Sequence, residues 1–274
     1  MDFPQALRER RARRHLSQLD LALRAGTTQR HVSFMESGRS APGRRMVLRL
    51  AESLELSLRE SNDLLLAAGY AAEFEESPLD AASLVPVREA LEHVLAGHLP
   101  YPAVVVDRHG TLVAANAAFP VLTEGAAPEL CGPSANVYRL ALHPRGMAPR
   151  IANFAEWSRH ILLRLERRAE RGADGRLAAL REELGGYVPA AATEGEPTGF
   201  AVPLRLESSR GPLRLITTVT TLATAVDVTL AELMLEAFLP ADGGTAQRLR
   251  EFAEGAVAAA DGCSQSRPAA LSAR

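Results

Sequence analysis

The stretch Leu16–Arg39, LSQLDLALRAGTTQRHVSFMESGR, constrains this chain more than any other. Ser17 stands where a helix N-cap belongs, and Asp20, three residues on, puts negative charge at the positive end of the helix it opens. Leu21, Ala22 and Ala25 share one face of that helix. Gly26 is expected to end it, because glycine takes up the left-handed backbone of a tight turn without steric cost. Thr27 is expected to cap a second short helix that turns Val32 and Met35 inward and Gln29, Arg30 and Ser33 outward, with Gly38 at its close. Two short helices across a glycine turn fit a helix-turn-helix, whose second helix enters the DNA major groove. Any helical hairpin shows caps, a glycine and apolar spacing. Here the outward Gln and Arg add side chains that hydrogen-bond base edges bidentately.

Charge is distributed to match. Residues 1–50 hold eleven arginines and four acids, or +7, so the rest of a chain of net charge −2 carries −9. A basic head on an acidic body suits a DNA-binding module joined to a separate domain, since phosphate neutralisation supplies most non-specific affinity. The chain has no lysine, so the position of the arginines informs more than their number. The run LSQLDLALRAGT followed by VSFMESG resembles the lambda-repressor-like (Xre-type) helix-turn-helix family. That resemblance implies that Gln29, Arg30 and, a turn further on, Phe34 face base edges. Gln suits adenine and Arg guanine, while Phe34 can only touch a thymine methyl or else belongs to the core. Gln18 and Thr28, at helix N-termini, suit phosphate oxygens, and Arg39 and Arg44 are expected to clamp the DNA backbone.

The flanking sequence supplies the rest of a bundle. Residues 3–14 read as a helix with Phe3 and Leu7 inward and Arg8, Arg11 and Arg14 outward. A fourth helix carries the stripe Val47, Leu50, Ala51 and Leu54, and a capping box at Ser57–Glu60 opens a fifth, ended by Gly69. The expected fold is therefore multi-domain, beginning with an all-α five-helix DNA-binding domain over residues 1–70. Residues 71–100 are expected to be an acidic, aperiodic linker and a connecting helix over Pro86–Ala96.

Beyond residue 100 the texture turns to α+β. Ala103–Asp107 and Thr111–Ala115 are predicted to pair as a β-hairpin across Arg108–Gly110. Helices are expected over Asn136–Leu142, Ala152–Arg171 and Asp174–Leu184, with a loop over Gly185–Gly199. Strands are expected at Phe200–Glu207 and Leu213–Leu222, then helices at Val226–Phe238 and Ala246–Ala260. This order predicts one antiparallel sheet with helices on one side over residues 101–255, and a disordered tail over 256–274. The segments PAVVVDRHGTLVAAN, NVYRLALHPRGMAPRIANFAEW and LITTVTTLATAVDVTLAELMLEAFLPAD resemble the ligand-binding domain of MmyB-like transcription regulators. That resemblance implies a PAS-like fold and a regulator that senses a small hydrophobic, fatty-acid-like ligand.

Asn136, Arg139, Arg150 and Asn153 interrupt otherwise apolar motifs, and two readings stand side by side. They anchor a polar ligand head group, or they cap helices and tie loops. Val104, Val106, Phe119, Leu142, Trp157, Ile161 and Leu215 are candidate walls of a ligand pocket and equally plain core residues. The run RLERRAER, residues 164–171, reads as a solvated charged face. No nucleophile elbow, dinucleotide or phosphate loop, or zinc motif occurs, so catalysis, a metal and a cofactor are not expected. No run approaches the ~20 apolar residues of a membrane span, and MDFPQALRERRARRH lacks a leader's apolar core, so a cytoplasmic protein is expected. The partners expected are double-stranded DNA with a pseudo-palindromic operator, a small hydrophobic ligand and a second copy of the chain. The competing reading makes the second domain a ligand-free dimerisation or protein-docking platform.

Overall fold

The computed structural model describes residues 2–132, 135–172, 174–189 and 202–265, the last stretch as backbone alone beyond residue 255. The chain divides into two compact units. One comprises Met1–Ala81, Arg167–Gly175 and Leu222–Glu232, the other Ala82–Glu166, Arg176–Thr221 and Leu233–Arg274.

The first unit opens with α1 (Phe3–Arg13), α2 (Gln18–Arg24), α3 (Gln29–Glu36), α4 (Arg44–Ser53) and α5 (Leu58–Ala67). Ser17 with Asp20 and Ser57 with Glu60 form reciprocal capping boxes at α2 and α5, each satisfying two backbone donors that the helix leaves open. Gly26, at φ 59°, makes the turn between α2 and α3. The cap of α3 is Thr28, whose side chain accepts from the His31 N–H, not Thr27 as the sequence suggested. The reason is local. The Thr27 N–H bonds back to the Ala22 carbonyl at 2.9 Å, so Thr27 still belongs to the closure of α2, and its hydroxyl lies 3.0 Å from His31 Nδ1. Leu7, Leu21, Val32, Met35, Leu50 and Leu64 are fully buried where the five helices meet. The acidic stretch after α5 is fastened rather than loose. Asn62 Oδ1 accepts from the Glu73 and Phe74 N–H groups at 3.0 Å each, and its Nδ2 donates to the Phe74 carbonyl at 2.8 Å.

The second unit is built on a five-stranded sheet of β1 (Ala103–Val106), β2 (Leu112–Ala115), β3 (Leu204–Leu206), β4 (Leu213–Thr221) and β5 (Met234–Pro240). The order is β2-β1-β5-β4-β3, and every neighbouring pair is antiparallel. Its helices are α6 (Val85–Gly97), α7 (Pro120–Thr123), α8 (Val137–Leu142), α9 (Phe154–Gly172), α10 (Gly175–Gly185) and, after a four-residue α11 (Val228–Ala231) in the β4–β5 connection, α12 (Gly243–Gln265).

The central strand is where the sequence misleads. Val226–Phe238 was expected to be a helix, yet only α11 is helical there and Met234–Pro240 is β5. Leu, Met, Glu and Ala favour a helix in isolation, but β5 pairs with β1 on one side and β4 on the other. That double ladder satisfies its backbone and buries Leu235, Glu236 and Ala237. All of β1 is buried as well, so both faces of the central strands are covered, in place of the one-sided cover expected. α12 spans Gly243–Gln265, and so contains the helix expected over Ala246–Ala260 and runs on past it. Residues 190–199 of the expected loop, residues 200–201 of the expected strand and residues 266–274 of the expected tail lie outside the described residues.

The chain between β4 and β5 belongs to the first unit. Asp227 caps α11 and also accepts from the Ser77 N–H at 3.0 Å, while the Val228 N–H donates to the Glu75 carbonyl at 2.8 Å. Arg59, on α5, forks onto Glu76 and onto Glu232, and these two carboxylates hold its pKa above the ordinary value.

Candidate DNA interface and ligand cavity

The reading helix α3 is held by a buried acid. Glu36, 2% exposed, accepts from Arg11 Nε at 2.6 Å and Nη2 at 2.9 Å, and from Gln18 Nε2 at 2.8 Å. Its carbonyl accepts from Arg8 Nη2 at 2.7 Å. One carboxylate thus ties α1, α2 and α3 together, and its hydrogen bond raises the Arg11 pKa. Arg14 donates to the Leu54 and Glu55 carbonyls at 2.8 and 2.7 Å. Arg8, Arg11 and Arg14, expected to face outward, are therefore fasteners of the bundle. The signal missed was Glu36 itself, one residue after Met35 on the inward face of α3, which needs a cation when buried.

On the opposite side of α3, Gln29 and Arg30 are exposed, Ser33 is half-buried, and Thr28 at the N-cap is exposed. Phe34 is neither core nor bare. It is half-buried, with the Arg30 guanidinium 5.1 Å and the Arg39 guanidinium 5.8 Å from its ring centroid. The ring thereby holds two cations beside α3, one from its first turn and one from the chain that follows it. Gln18 spends one amide hydrogen on Glu36, and Arg44 is ion-paired with Glu73 through Nη2 with its side chain 42% exposed, so each retains further N–H donors.

The second unit encloses a cavity of 260 Å³ between α8, α9 and the sheet. It lies over the sheet face that carries Val104, Glu236, Phe238 and Thr217, residues directly opposite one another across the strands. Of the walls named from sequence, Val104, Phe119, Trp157 and Ile161 line it. Val106, Leu142 and Leu215 are fully buried elsewhere in the core.

None of the four named polar residues lines the cavity. Asn136 caps α8, accepting from the Tyr138 and Arg139 N–H groups, and donates to the His109 carbonyl at 2.8 Å. Arg139 forks onto Glu183 with both contacts at 2.7 Å, which raises its own pKa and lowers that of Glu183. Arg150 donates to the carbonyls of Val121, Leu122, Glu124 and Glu207. Asn153 ties the Pro203 carbonyl and the Arg205 N–H to the start of α9.

The polar groups that do reach the cavity are Tyr138, His160, Arg164, Thr217 and Glu236. Arg164 donates to the Tyr138 hydroxyl at 3.0 Å and pairs with Glu236, which is 5% exposed. Burial works against the Arg164 charge, but Tyr138 and Glu236 outweigh it and hold its pKa above the ordinary value. Gly110, at φ 82°, lets the Tyr138 ring close onto the β1–β2 turn, where any Cβ would strike it. Sequence reasoning placed Arg164 on a solvated face and Glu236 in a helix. The spacing did hold the clue for Arg164, three residues after Ile161 and seven after Trp157 on the inward stripe of α9.

Residues 87–252 match the profile of the MmyB-like transcription regulator ligand binding domain, and residues 7–61 match a helix-turn-helix profile. The chain belongs to the MmyB-like transcription regulators. This family member is a DNA-binding transcription regulator with a ligand-binding domain, and its role is regulatory rather than enzymatic. No curated protein matches it. A solved structure of an RNA-binding light-oxygen-voltage receptor aligns at 16% identity and a TM-score of 0.26, over 97% of this chain and 65% of the receptor chain. A likeness of that degree says nothing about function. Among the described residues no helix is long and apolar enough to cross a membrane, and no three His, Cys, Asp or Glu side chains cluster as metal ligands.

Proposed function

We propose that this regulator grips a pseudo-palindromic operator as a cytoplasmic homodimer, and that a small hydrophobic ligand, fatty-acid-like in its apolar body, sets the strength of that grip. The working division is residues 1–70 for DNA, 71–100 for connection and 101–255 for the ligand. Gln29 and Arg30 read base edges, with Phe34 steadying Arg30, while Thr28, Ser33 and Arg39 meet the phosphate backbone. Arg44 joins them when phosphate displaces Glu73. One small helix-turn-helix covers too few base pairs for tight specific binding, and two copies on paired half-sites supply the rest.

The observation that carries the sensor reading is the 260 Å³ cavity inside the segment matched as a ligand-binding domain. Thr217 on β4 and Glu236 and Phe238 on β5 border it, and the chain joining those strands is the segment held by Ser77 and Arg59. A ligand that prefers one setting of β4 and β5 shifts the population of the segment between them, whereas equal affinity for both settings shifts nothing.

Native mass spectrometry of protein purified from cells, paired with gel-shift titrations before and after ligand stripping, tests this reading. A small-molecule adduct whose removal changes operator affinity is the expected result. A domain that is empty when isolated, with operator affinity indifferent to any apolar additive, would favour the ligand-free platform instead.

A further inference from the structure

We propose, building on the sensor reading of this cavity, that its ligand is uncharged: an apolar body with a hydrogen-bond-accepting carbonyl, such as an ester, ketone or lactone, rather than a free carboxylate. Three observations converge on that chemistry. Trp157 lines the cavity, is 6% exposed, and its Nε1 is buried without a hydrogen-bond partner among the described residues. An indole N–H can only donate, so whatever completes it must accept. A buried donor left unpaired carries its full desolvation penalty, which an accepting ligand removes.

Thr217 Oγ1, of a residue on the same cavity, is likewise buried and unpartnered among the described residues, and as a hydroxyl it too can donate to an acceptor. The third observation is charge. The guanidinium that would otherwise recruit a carboxylate, Arg164, is already paired with Glu236 and bonded to Tyr138. A carboxylate entering this cavity would join the buried Glu236 carboxylate in one low-dielectric pocket whose guanidinium is already engaged, and two like charges so placed repel. A neutral carbonyl can accept from an orphaned donor of this kind and leaves the ion pair intact. Phe119, Leu122, Leu140, Met147 and Ile161 wall the remainder and suit an alkyl or ring body. The volume of 260 Å³ lies just under the ~300–1,000 Å³ of most small-molecule pockets, so the body is small.

Trp157 is the only tryptophan in the chain, so its emission reports the contact directly. The test titrates full-length protein with methyl decanoate and with sodium decanoate, following fluorescence and calorimetry. The ester is expected to shift Trp157 emission to longer wavelength and to bind about tenfold more tightly than the anion, the ratio one added hydrogen bond supplies. Trp157→Phe and the near-isosteric Thr217→Val should each weaken ester binding by about five- to tenfold and leave decanoate unchanged, with circular dichroism checking each fold. If decanoate binds as tightly as the ester, or the two variants affect both probes equally, the uncharged-ligand assignment is overturned while the cavity remains a ligand site. If neither probe binds, and filling the cavity with Ala141→Leu leaves operator binding untouched, the sensor reading falls together with this one.

Discussion

Removing the Arg11 guanidinium, by Arg11→Met, tests how the reading helix is held. Arg11 gives Glu36 two charge-assisted hydrogen bonds, at 2.6 and 2.9 Å, and a third from Nη1 to the Leu16 carbonyl at 2.7 Å. Both side chains are sheltered, with 16% exposure for Arg11 and 1% for Glu36. After the substitution Glu36 keeps its carboxylate, its burial and the single Gln18 amide as a side-chain donor among the described residues. Breaking a buried ion pair on one side costs ~3–5 kcal/mol, because the surviving charge has lost both water and partner. That is a large share of the ~5–15 kcal/mol that holds a typical domain. Urea denaturation followed by circular dichroism should show the loss, and gel shifts should show operator binding failing with it. Arg11→Met combined with Glu36→Met should recover stability to within ~1 kcal/mol of the parent, since an apolar pair of similar size leaves no stranded charge. A loss below ~1 kcal/mol for Arg11→Met alone, or a double variant as unstable as the single, would refute the argument.

Three further predictions concern the interface and the β4–β5 segment. Arg30→Ala should cost ~1–3 kcal/mol at operators containing guanine under that residue and relax preference there, and gel shifts across an operator series should separate this from a uniform loss. Glu73→Gln should free Arg44 from its ion pair, tighten binding to all sequences alike and steepen the salt dependence by about one counterion, whereas Arg44→Ala should do the reverse; fluorescence anisotropy at several salt concentrations measures both. Burial works against the Asp227 carboxylate, but hydrogen bonds from Ser77 and Leu230 overcome it and hold its pKa below the ordinary 3.8. A depressed folded-state pKa contributes stability above the unfolded value and loses it as pH falls through the folded one. Asp227→Asn should therefore lower the melting temperature at neutral pH, with the gap to the parent closing below pH ~3. A gap of constant size across that range would contradict the assignment.

Much of the helical head was legible because its information is local. Ser17 with Asp20, Ser57 with Glu60, and Gly26 act over three or four residues, the range over which caps and turns are decided. The choice between Thr27 and Thr28 as the cap of α3 was not legible, since either threonine can cap. It turns on the bond from the Thr27 N–H to the Ala22 carbonyl, which exists only once α2 has closed. Gln29 and Arg30 stand exposed as their spacing required, but nothing local to Phe34 announces that Arg30 and Arg39 flank its ring. In the second unit, four of the seven apolar walls reach the cavity, and for Trp157 and Ile161 the signal is the apolar stripe of α9. On the polar side, spacing alone does not separate head-group anchors from loop ties. Asn136 and Arg150 are conspicuous beside their neighbours, yet their partners are backbone groups brought close by the fold.

The sequence by itself determined that the DNA-binding head is a set of five short helices, where α2 and α5 begin, which apolar side chains they bury and where positive charge gathers, since each is set within a turn or two. Only the tertiary structure decided that Met234–Pro240 is the central strand, because its pairing with β1 and β4 outweighs a helical preference of the residues alone. The same pairing carries Glu236 to Arg164, 72 residues away in the chain, and lays Thr217 and Trp157 along one cavity. Packing distant residues against one another creates a low-dielectric space where charge balance and unpaired donors acquire meaning, and no local pattern encodes that space.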